Sequence, residues 1–184
     1  MNAFPHAPFC RTTARIFFAL LLPPAAQRAL GDVAPETARR AHGRPVPAEN
    51  MHVTLAFIGA WPLARLPALR DAALAVRGEP LHIVLDEFGA FRRAGIAWIG
   101  SSAPPATLMQ LQSSLAAALV SGGVPFDASQ PFRPHVTLAR RCRGPYPRGG
   151  HDPIAIEVDR FFLMASETRA EGARYRAVAE WRLA

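Results

Sequence analysis

Apolar residues recur along this chain with two different periods. Spacings of three to four residues predict helices from Pro24 to about His42, from Pro62 to about Arg77 and over Pro104–Ser121, with Gly31 and Pro35 splitting or kinking the first. Short β-branched or alternating runs bounded by turn residues predict strands at both copies of a repeated pentapeptide, between Asn50 and Gly59 and between Pro134 and Gly144, and further strands at 81–88, 96–100, 154–165 and 174–183. Helices interspersed with short strands predict an α+β architecture.

One pentapeptide, His-Val-Thr-Leu-Ala, occurs at 52–56 and again at 135–139. An exact repeat in so short a chain indicates a duplicated unit. On a strand, alternate side chains share a face, so each copy turns its His and Thr one way and its Val and Leu the other. Strict alternation puts Ala56 and Ala139 next on the polar face, where their small size leaves space for a ligand.

The chemistry of the polar face depends on the two copies acting together. A single histidine on a strand is more often a hydrogen-bonded structural residue. Two His-x-Thr strands that face each other across a pseudo-two-fold axis place one imidazole on either side of a bound group. In-line displacement at phosphorus needs this arrangement, with a base for the attacking oxygen and an acid for the leaving oxygen.

Both motifs stand inside longer phrases that extend over nearly the whole chain after the first dozen residues. These phrases are RIFFA at 15–19, GRPV at 43–46, ENMHVTLAFIG at 49–59, WIG at 98–100, PFRPHVTLAR at 131–140 and ARY at 173–175. Together they resemble the two-histidine (2H) phosphoesterases, in particular the bacterial RNA 2′,3′-cyclic phosphodiesterases formerly named 2′-5′ RNA ligases.

The resemblance implies a fold of two pseudo-symmetric lobes, with mostly antiparallel sheets lining a central groove and helices outside. It makes the run at 16–22 the first strand, in preference to the apolar region of a secretory signal. Residues 15–184 are then a single bilobal domain, and the Pro-rich residues 1–14 are expected to be a flexible tail.

The activity implied by the resemblance is hydrolysis of RNA or nucleotide 2′,3′-cyclic phosphates to 2′-phosphomonoesters. His52 would protonate the departing 3′ oxygen, and His135 would activate water. Thr54 and Thr137 would donate hydrogen bonds to the phosphoryl oxygens. One imidazole can hold a proton near neutral pH while the other lacks it, which predicts a bell-shaped pH dependence.

Two further residues are candidates for substrate binding. The guanidinium of Arg133 suits a phosphate and shares the face of His135 if the strand extends that far, which Pro134 leaves open. Phe17 either stacks the terminal base or packs in the core.

No metal or other cofactor is expected, because two imidazoles, two hydroxyls and an arginine supply acid, base and charge stabilisation. The His-x-Thr pairs offer two good ligands where zinc takes three or four. Cys10 and Cys142 lack metal-ligand spacing and are expected to be reduced and unpaired.

The charge of the chain suggests a partner. All 21 basic residues are arginine and the formal charge is +7, which suits RNA but also fits a general compositional bias. Arg133, Arg140, Arg141 and Arg143 crowd the second motif, so an RNA backbone is expected nearer the second lobe. The stretch from Arg140 to Pro153 is predicted to be a surface loop.

We expect a cytoplasmic monomer that acts on RNA ends or nucleoside cyclic phosphates. No membrane span is expected, because the apolar run at 16–22 is too short to cross a bilayer. Two alternatives are 2′-5′ RNA ligation or cleavage by the same groups, and an RNA-binding module without catalysis. Binding alone would not need two matched His-x-Thr strands.

Overall fold

A computed structural model describes residues 12–126, 131–169 and 172–184. These residues form nine strands and three α-helices, which confirms the α+β prediction. In chain order they are β1 (Thr13–Leu21), α1 (Pro24–Arg40), β2 (Arg44–Pro45), β3 (His52–Pro62), α2 (Leu66–Leu74), β4 (Leu81–Phe91), β5 (Ile96–Gly100), α3 (Ala106–Ser121), β6 (His135–Arg140), β7 (Gly149–Val158), β8 (Arg160–Arg169) and β9 (Gly172–Arg182).

The strands are antiparallel throughout and follow the order β7-β4-β5-β6-β3-β1-β8-β9, with β2 paired to β6. The two motif strands, β3 and β6, are neighbours at the centre and pair through Val53 and Val136. Strands β3, β1, β8 and β9 form one half, lobe one, and β6, β5, β4 and β7 form the other, lobe two. The predicted pseudo-symmetry is confirmed, although β8 and β9 return to lobe one from the end of the chain.

Alternation along the central strands separates a core face from an open face. Ile16, Phe18 and Leu20 of β1 are fully buried in the main core, together with Val53 and Val136 of the motif strands. The helices contribute apolar side chains to the same core: Leu30, Leu69, Leu108, Leu111 and Leu115. The His-x-Thr side chains therefore lie on the sheet face away from this core.

The first helix differs from its prediction. Helix α1 runs without a break through Gly31 and Pro35, so it does not split. An internal proline costs about 3 kcal/mol, mainly through a lost hydrogen bond and a steric clash. The buried apolar face of α1, which includes Leu30, Ala34 and Ala38, offsets that local cost.

Strand boundaries near the C-terminus also differ. The strand predicted at 154–165 is two strands, because the chain turns at Asp159 between β7 and β8. Strand β7 begins at Gly149, inside the predicted surface loop, where it pairs with β4 at the edge of lobe two. At the other end, β1 already includes Thr13 and Ala14, and the carbonyl of Thr12 accepts a hydrogen bond from the amide of Leu63. Residues 1–11 of the predicted tail lie outside the described residues. None of the helices described is both long and apolar enough to cross a bilayer.

Candidate active site

The two copies of the pentapeptide adopt the same local structure. In each, the His and Thr are half-buried while the Val and Leu are buried in the core, and the order of burial is identical along the first five residues. Thr54 and His52 of β3 therefore share the open face of the sheet with His135 and Thr137 of β6.

Pairing of the motif strands brings these four side chains together. Val53 opposes Val136 in an antiparallel pair, so the His and Thr that flank each valine come from adjacent strands at the centre of the sheet. Only this one position is paired between β3 and β6, and the two strands separate on either side of it.

A β-bulge follows the threonine in both strands. Leu55 has no partner on β1, and Leu138 has none on β5, because each neighbouring strand skips that position. A bulge adds one residue and interrupts the alternation of faces. Ala56 and Ala139 are consequently buried on the core side, 2% and 0% exposed, and the prediction that they face a ligand is wrong.

The residue after each alanine returns to the open face. This residue is Phe57 in lobe one and Arg140 in lobe two, and both are exposed. Phe57 is the cross-strand partner of Phe17. The charge of Arg140 lowers the pKa of both His52 and His135, so this guanidinium acts on both halves of the site.

Both imidazoles are held by the same hydrogen bond. Nδ1 of His52 lies 2.8 Å from the carbonyl oxygen of Asn50, and Nδ1 of His135 lies 2.8 Å from that of Arg133. A carbonyl only accepts, so each Nδ1 must carry the hydrogen. In both rings Nε2 is left as the nitrogen that can take up or release a proton.

Aromatic rings of lobe one surround His52. Phe17 stacks on the imidazole with ring centroids 4.8 Å apart, and Tyr175 meets it edge-on at 5.3 Å. The side-chain amide of Asn50 donates to the carbonyl of Ala173, two residues before Tyr175. Phe17 is only 4% exposed, which favours packing over base stacking, and a base-stacking role for it stays a prediction.

His135 has a corresponding aromatic pair in lobe two. Phe91 meets its ring edge-on at 4.9 Å, and the Trp98 ring lies 5.8 Å away. The indole of Trp98 lies directly over Gly89, where a Cβ would come within 2.1 Å of it, so this close approach requires glycine. Neither Phe91, Trp98 nor Tyr175 was a sequence candidate, because an aromatic in an apolar run looks the same whether it supports a site or fills a core.

Arg133 reaches the site from outside the strand. Strand β6 begins at His135, so Arg133 does not share its face by strand alternation. Its guanidinium carbon lies 6.0 Å from the centre of the Trp98 ring, and its charge lowers the pKa of His135. The tertiary structure thus brings together at the groove five of the six predicted side chains, and it buries the sixth, Phe17, behind His52.

Burial is the main influence on both imidazoles. It lowers the pKa of His52 to about 4, against the hydrogen bond to Asn50, and the charges of Arg140 and His135 act in the same direction as burial. Burial likewise lowers the pKa of His135, where Arg140 and Arg133 add to the effect. Without a ligand, both rings are therefore mainly neutral at neutral pH. A bound anion would favour the protonated forms and raise both pKa values.

No group of three or more His, Cys, Asp or Glu side chains in the described ranges is arranged to hold a metal ion.

A bilobal antiparallel sheet with paired imidazoles at its centre defines a class of phosphoesterases, and comparison with known proteins gives the family. The model of the family "LigT like Phosphoesterase" matches residues 20–98. The RNA 2′,3′-cyclic phosphodiesterase of Escherichia coli K12 is 34% identical over 143 residues, 77% of this chain and 80% of that protein. The chain belongs to the LigT-like phosphoesterase family.

Other relatives agree over longer spans. The RNA 2′,3′-cyclic phosphodiesterase of Thermus thermophilus is 28% identical over 179 residues, 92% of this chain and 90% of that protein. The crystal structure of E. coli LigT complexed with 3′-AMP superposes with a TM-score of 0.83 at 30% identity, and the match covers 93% of this chain and 98% of the other.

Proposed function

We propose that this protein hydrolyses 2′,3′-cyclic phosphate ends of RNA or nucleotides to 2′-phosphomonoesters, without a metal ion. The observation that carries the proposal is the matched pair of histidines. His52 and His135 lie on paired central strands, bond through Nδ1 to the carbonyl two residues before them, and keep Nε2 for proton transfer. Relatives that this chain matches over most of their length are named RNA 2′,3′-cyclic phosphodiesterases.

The reaction needs two proton transfers. Nε2 of His135 removes a proton from water, whose oxygen forms a bond to phosphorus. The bond from phosphorus to the 3′ oxygen breaks, and Nε2–H of His52 gives its proton to that oxygen, leaving the phosphate on the 2′ position. The two motifs are alike in geometry, so this assignment of acid and base rests on the family resemblance.

Charge that builds on the phosphoryl oxygens is stabilised by fixed groups at the junction of the lobes. Thr54 and Thr137 share the open face with the imidazoles, each two residues after the histidine of its own motif. A hydroxyl donor of this kind typically contributes about 10²-fold in rate. Arg133 and Arg140 add positive charge, since both act electrostatically on His135.

Substrate binding sets the protonation state. In the free protein the pKa of each imidazole is lowered, so few rings carry the proton that the acid must donate. A negative phosphate between the rings raises both pKa values and so favours the protonated form of the acid. The proposed roles require that His52 holds the proton shared by the pair while His135 stays neutral as the base.

Exposed arginines near the second motif support RNA, and not only a mononucleotide, as the substrate. Five of them surround Arg140 on neighbouring segments and form no ion pair with another described residue: Arg44, Arg92, Arg93, Arg141 and Arg143. Two contacts hold these segments together. The amide of Cys142 donates to the carbonyl of Gly95, and the hydroxyl of Tyr146 lies 3.2 and 3.0 Å from the carbonyl oxygens of Arg92 and Cys142. A surface of unpaired guanidinium groups beside the site suits the phosphates of an RNA strand.

The test is turnover of adenosine 2′,3′-cyclic phosphate in excess EDTA. His52→Ala and His135→Ala should each abolish hydrolysis while thermal unfolding stays close to wild type, because both rings are only half-buried. His82→Ala, an exposed histidine of β4, is the matched control and should retain activity. Wild-type turnover in either motif variant would overturn the acid–base pair, and nucleotide binding without any turnover would favour a binding module.

A further inference from the structure

The aromatic rings beside the two histidines are held in different ways. Phe91 and Trp98, which contact His135, belong to β4 and β5, and β5 is the direct neighbour of the second motif strand. Tyr175, which contacts His52 edge-on at 5.3 Å, belongs to β9. Strands β1 and β8 lie between β9 and the first motif strand in the sheet. Pairing of adjacent strands therefore places the rings of lobe two, but it does not by itself bring Tyr175 to His52.

Asn50 makes a direct link between these two distant strands. It is the last residue of a short 3₁₀ turn, Ala48–Asn50, that precedes β3. Its side-chain amide donates a hydrogen bond of 3.0 Å to the carbonyl oxygen of Ala173, 123 residues away in the chain. Ala173 lies at the beginning of β9, two residues before Tyr175. The hydrogen bond thus ties the beginning of β9 to the beginning of the first motif strand.

The same residue also holds the imidazole. The backbone carbonyl of Asn50 accepts the hydrogen of His52 Nδ1 at 2.8 Å. Its backbone therefore orients His52, and its side chain places the strand whose ring covers His52. The rings of His52 and Tyr175 also both contact Phe17, at 4.8 and 5.2 Å between centroids, so the three rings form one cluster. Burial, to which these rings contribute, is the main cause of the lowered pKa of His52.

The corresponding residue of the second motif acts differently. Arg133 uses its backbone carbonyl in the same way for His135, but its guanidinium carbon lies 6.0 Å from the centre of the Trp98 ring, within its own lobe. The rings of lobe two come from strands next to one another in the sheet and need no such link. The residue two positions before the histidine therefore differs between two otherwise identical motifs, and the difference matches how each lobe holds its aromatic rings.

We propose that Asn50 is a positioning residue for His52, which holds Tyr175 against the imidazole by tying β9 to the turn before the first motif. The proposal rests on the proposed function only for the role of His52 as the acid. The side-chain amide can be removed without removing the carbonyl that accepts from Nδ1, so the two contributions of Asn50 can be separated by substitution.

The experiment follows the ring signals of both histidines by NMR as a function of pH. In Asn50→Ala, Tyr175 is no longer held and water can reach His52. The pKa of His52 should then rise from about 4 toward the usual 6.5, by about one unit or more, while that of His135 moves much less. The charges that act on His52, from Arg140 and His135 of β6, are the same in this variant. Asn50 is only half-buried, so the variant should fold.

Variants of Tyr175 test whether the effect passes through this ring. Tyr175→Ala should reproduce the rise in the pKa of His52, and Tyr175→Phe should not, because the contact needs the ring and not the hydroxyl. If Asn50 acts through Tyr175, Asn50→Ala should add no further rise in the Tyr175→Ala background.

Arg70→Met is the matched control. It removes another side-chain hydrogen bond to β9, from the Arg70 guanidinium to the carbonyl of Val178 at 3.1 Å, and should leave the pKa of His52 unchanged. A rise as large as that in Asn50→Ala would indicate only that β9 is loosened, and would overturn the proposal. So would a pKa of His52 that stays in place in Asn50→Ala, or effects of Asn50→Ala and Tyr175→Ala that add.

Turnover of adenosine 2′,3′-cyclic phosphate gives a second measurement. In Asn50→Ala, kcat should fall about tenfold or more, because the acid is misplaced, and the limb of the kcat/KM profile that belongs to His52 should move to higher pH. An unchanged kcat with the limb in place would contradict the positioning role. If the wild-type protein does not hydrolyse this substrate, the proposed function fails, and the ring titrations alone decide the role of Asn50.

Discussion

The pH dependence of hydrolysis should reflect the lowered pKa values of the two imidazoles. The reaction needs one ring protonated and the other neutral, and kcat/KM reports the free enzyme. The pKa of His52 is lowered to about 4 and that of His135 is also below its usual 6.5, so the optimum of kcat/KM should lie below pH 6.5. At pH 7 an imidazole with a pKa of about 4 is protonated in roughly one molecule in a thousand, whereas an ordinary histidine is protonated in about a quarter of the molecules. The kcat optimum should lie at higher pH, because the bound anion raises both pKa values.

Arg140→Gln tests the electrostatic cause. The charge of Arg140 lowers both histidine pKa values, so its removal should move both limbs of the kcat/KM profile to higher pH. For scale, two unit charges that are separated by about 8–10 Å interact by about 0.4–2 kcal/mol at effective dielectric constants of about 80 to 20, and an energy of that size displaces a pKa by about 0.3–1.5 units. Arg133→Gln should move only the limb that belongs to His135, because Arg133 acts on that ring alone.

The assay is kcat/KM for adenosine 2′,3′-cyclic phosphate from pH 4.5 to 9, with the histidine ring signals followed by NMR in parallel. The position of each limb is independent of the height of the profile, so a lower rate in Arg140→Gln does not obscure the result. Arg44→Gln is the matched control, because Arg44 pairs with Arg140 across β2 and β6 but is not among the causes of either shift. Limbs that stay in place in Arg140→Gln, or move equally in Arg44→Gln, would refute the reasoning.

Three further results are expected. Activity should survive exhaustive chelation and elemental analysis should show no stoichiometric transition metal, whereas activity lost in EDTA and restored by zinc or manganese would contradict the mechanism. Phosphorus NMR should show the 2′-phosphate as the main product, and a 3′-phosphate would mean that the acid and base are exchanged. For an oligonucleotide with a cyclic phosphate end, the double variant Arg141→Gln/Arg143→Gln should raise KM and reduce the salt dependence of binding, by about 0.7 in the slope of log K against log salt for each lost phosphate contact. The control Arg28→Gln/Arg65→Gln removes the same charge elsewhere, and an equal effect there would indicate only the net charge of the protein.

Much of the site could be predicted from the sequence, because it depends on the order of neighbouring residues. Alternation in a strand depends only on neighbouring residues, so the repeat at 52–56 and 135–139 predicted two strands with His and Thr on one face and Val on the other. The structure confirms this pattern, and identical sequences have folded alike down to the bulge at Leu55 and Leu138. The α+β class and the three helices were predictable for the same reason, since the spacing of apolar residues is a local property.

Only the tertiary structure decided which side chains join the histidines. A bulge arises from register between strands, so alternation alone misplaced Ala56 and Ala139. For the same reason it gave no indication that Phe57 and Arg140 return to the open face. Phe17 lies behind His52 because β8 and β9, from the far end of the chain, complete lobe one around it. The aromatic rings against each imidazole, and the charge of Arg140 that acts on His52, come from residues distant in sequence, and such long-range contacts exist only once the strands have paired.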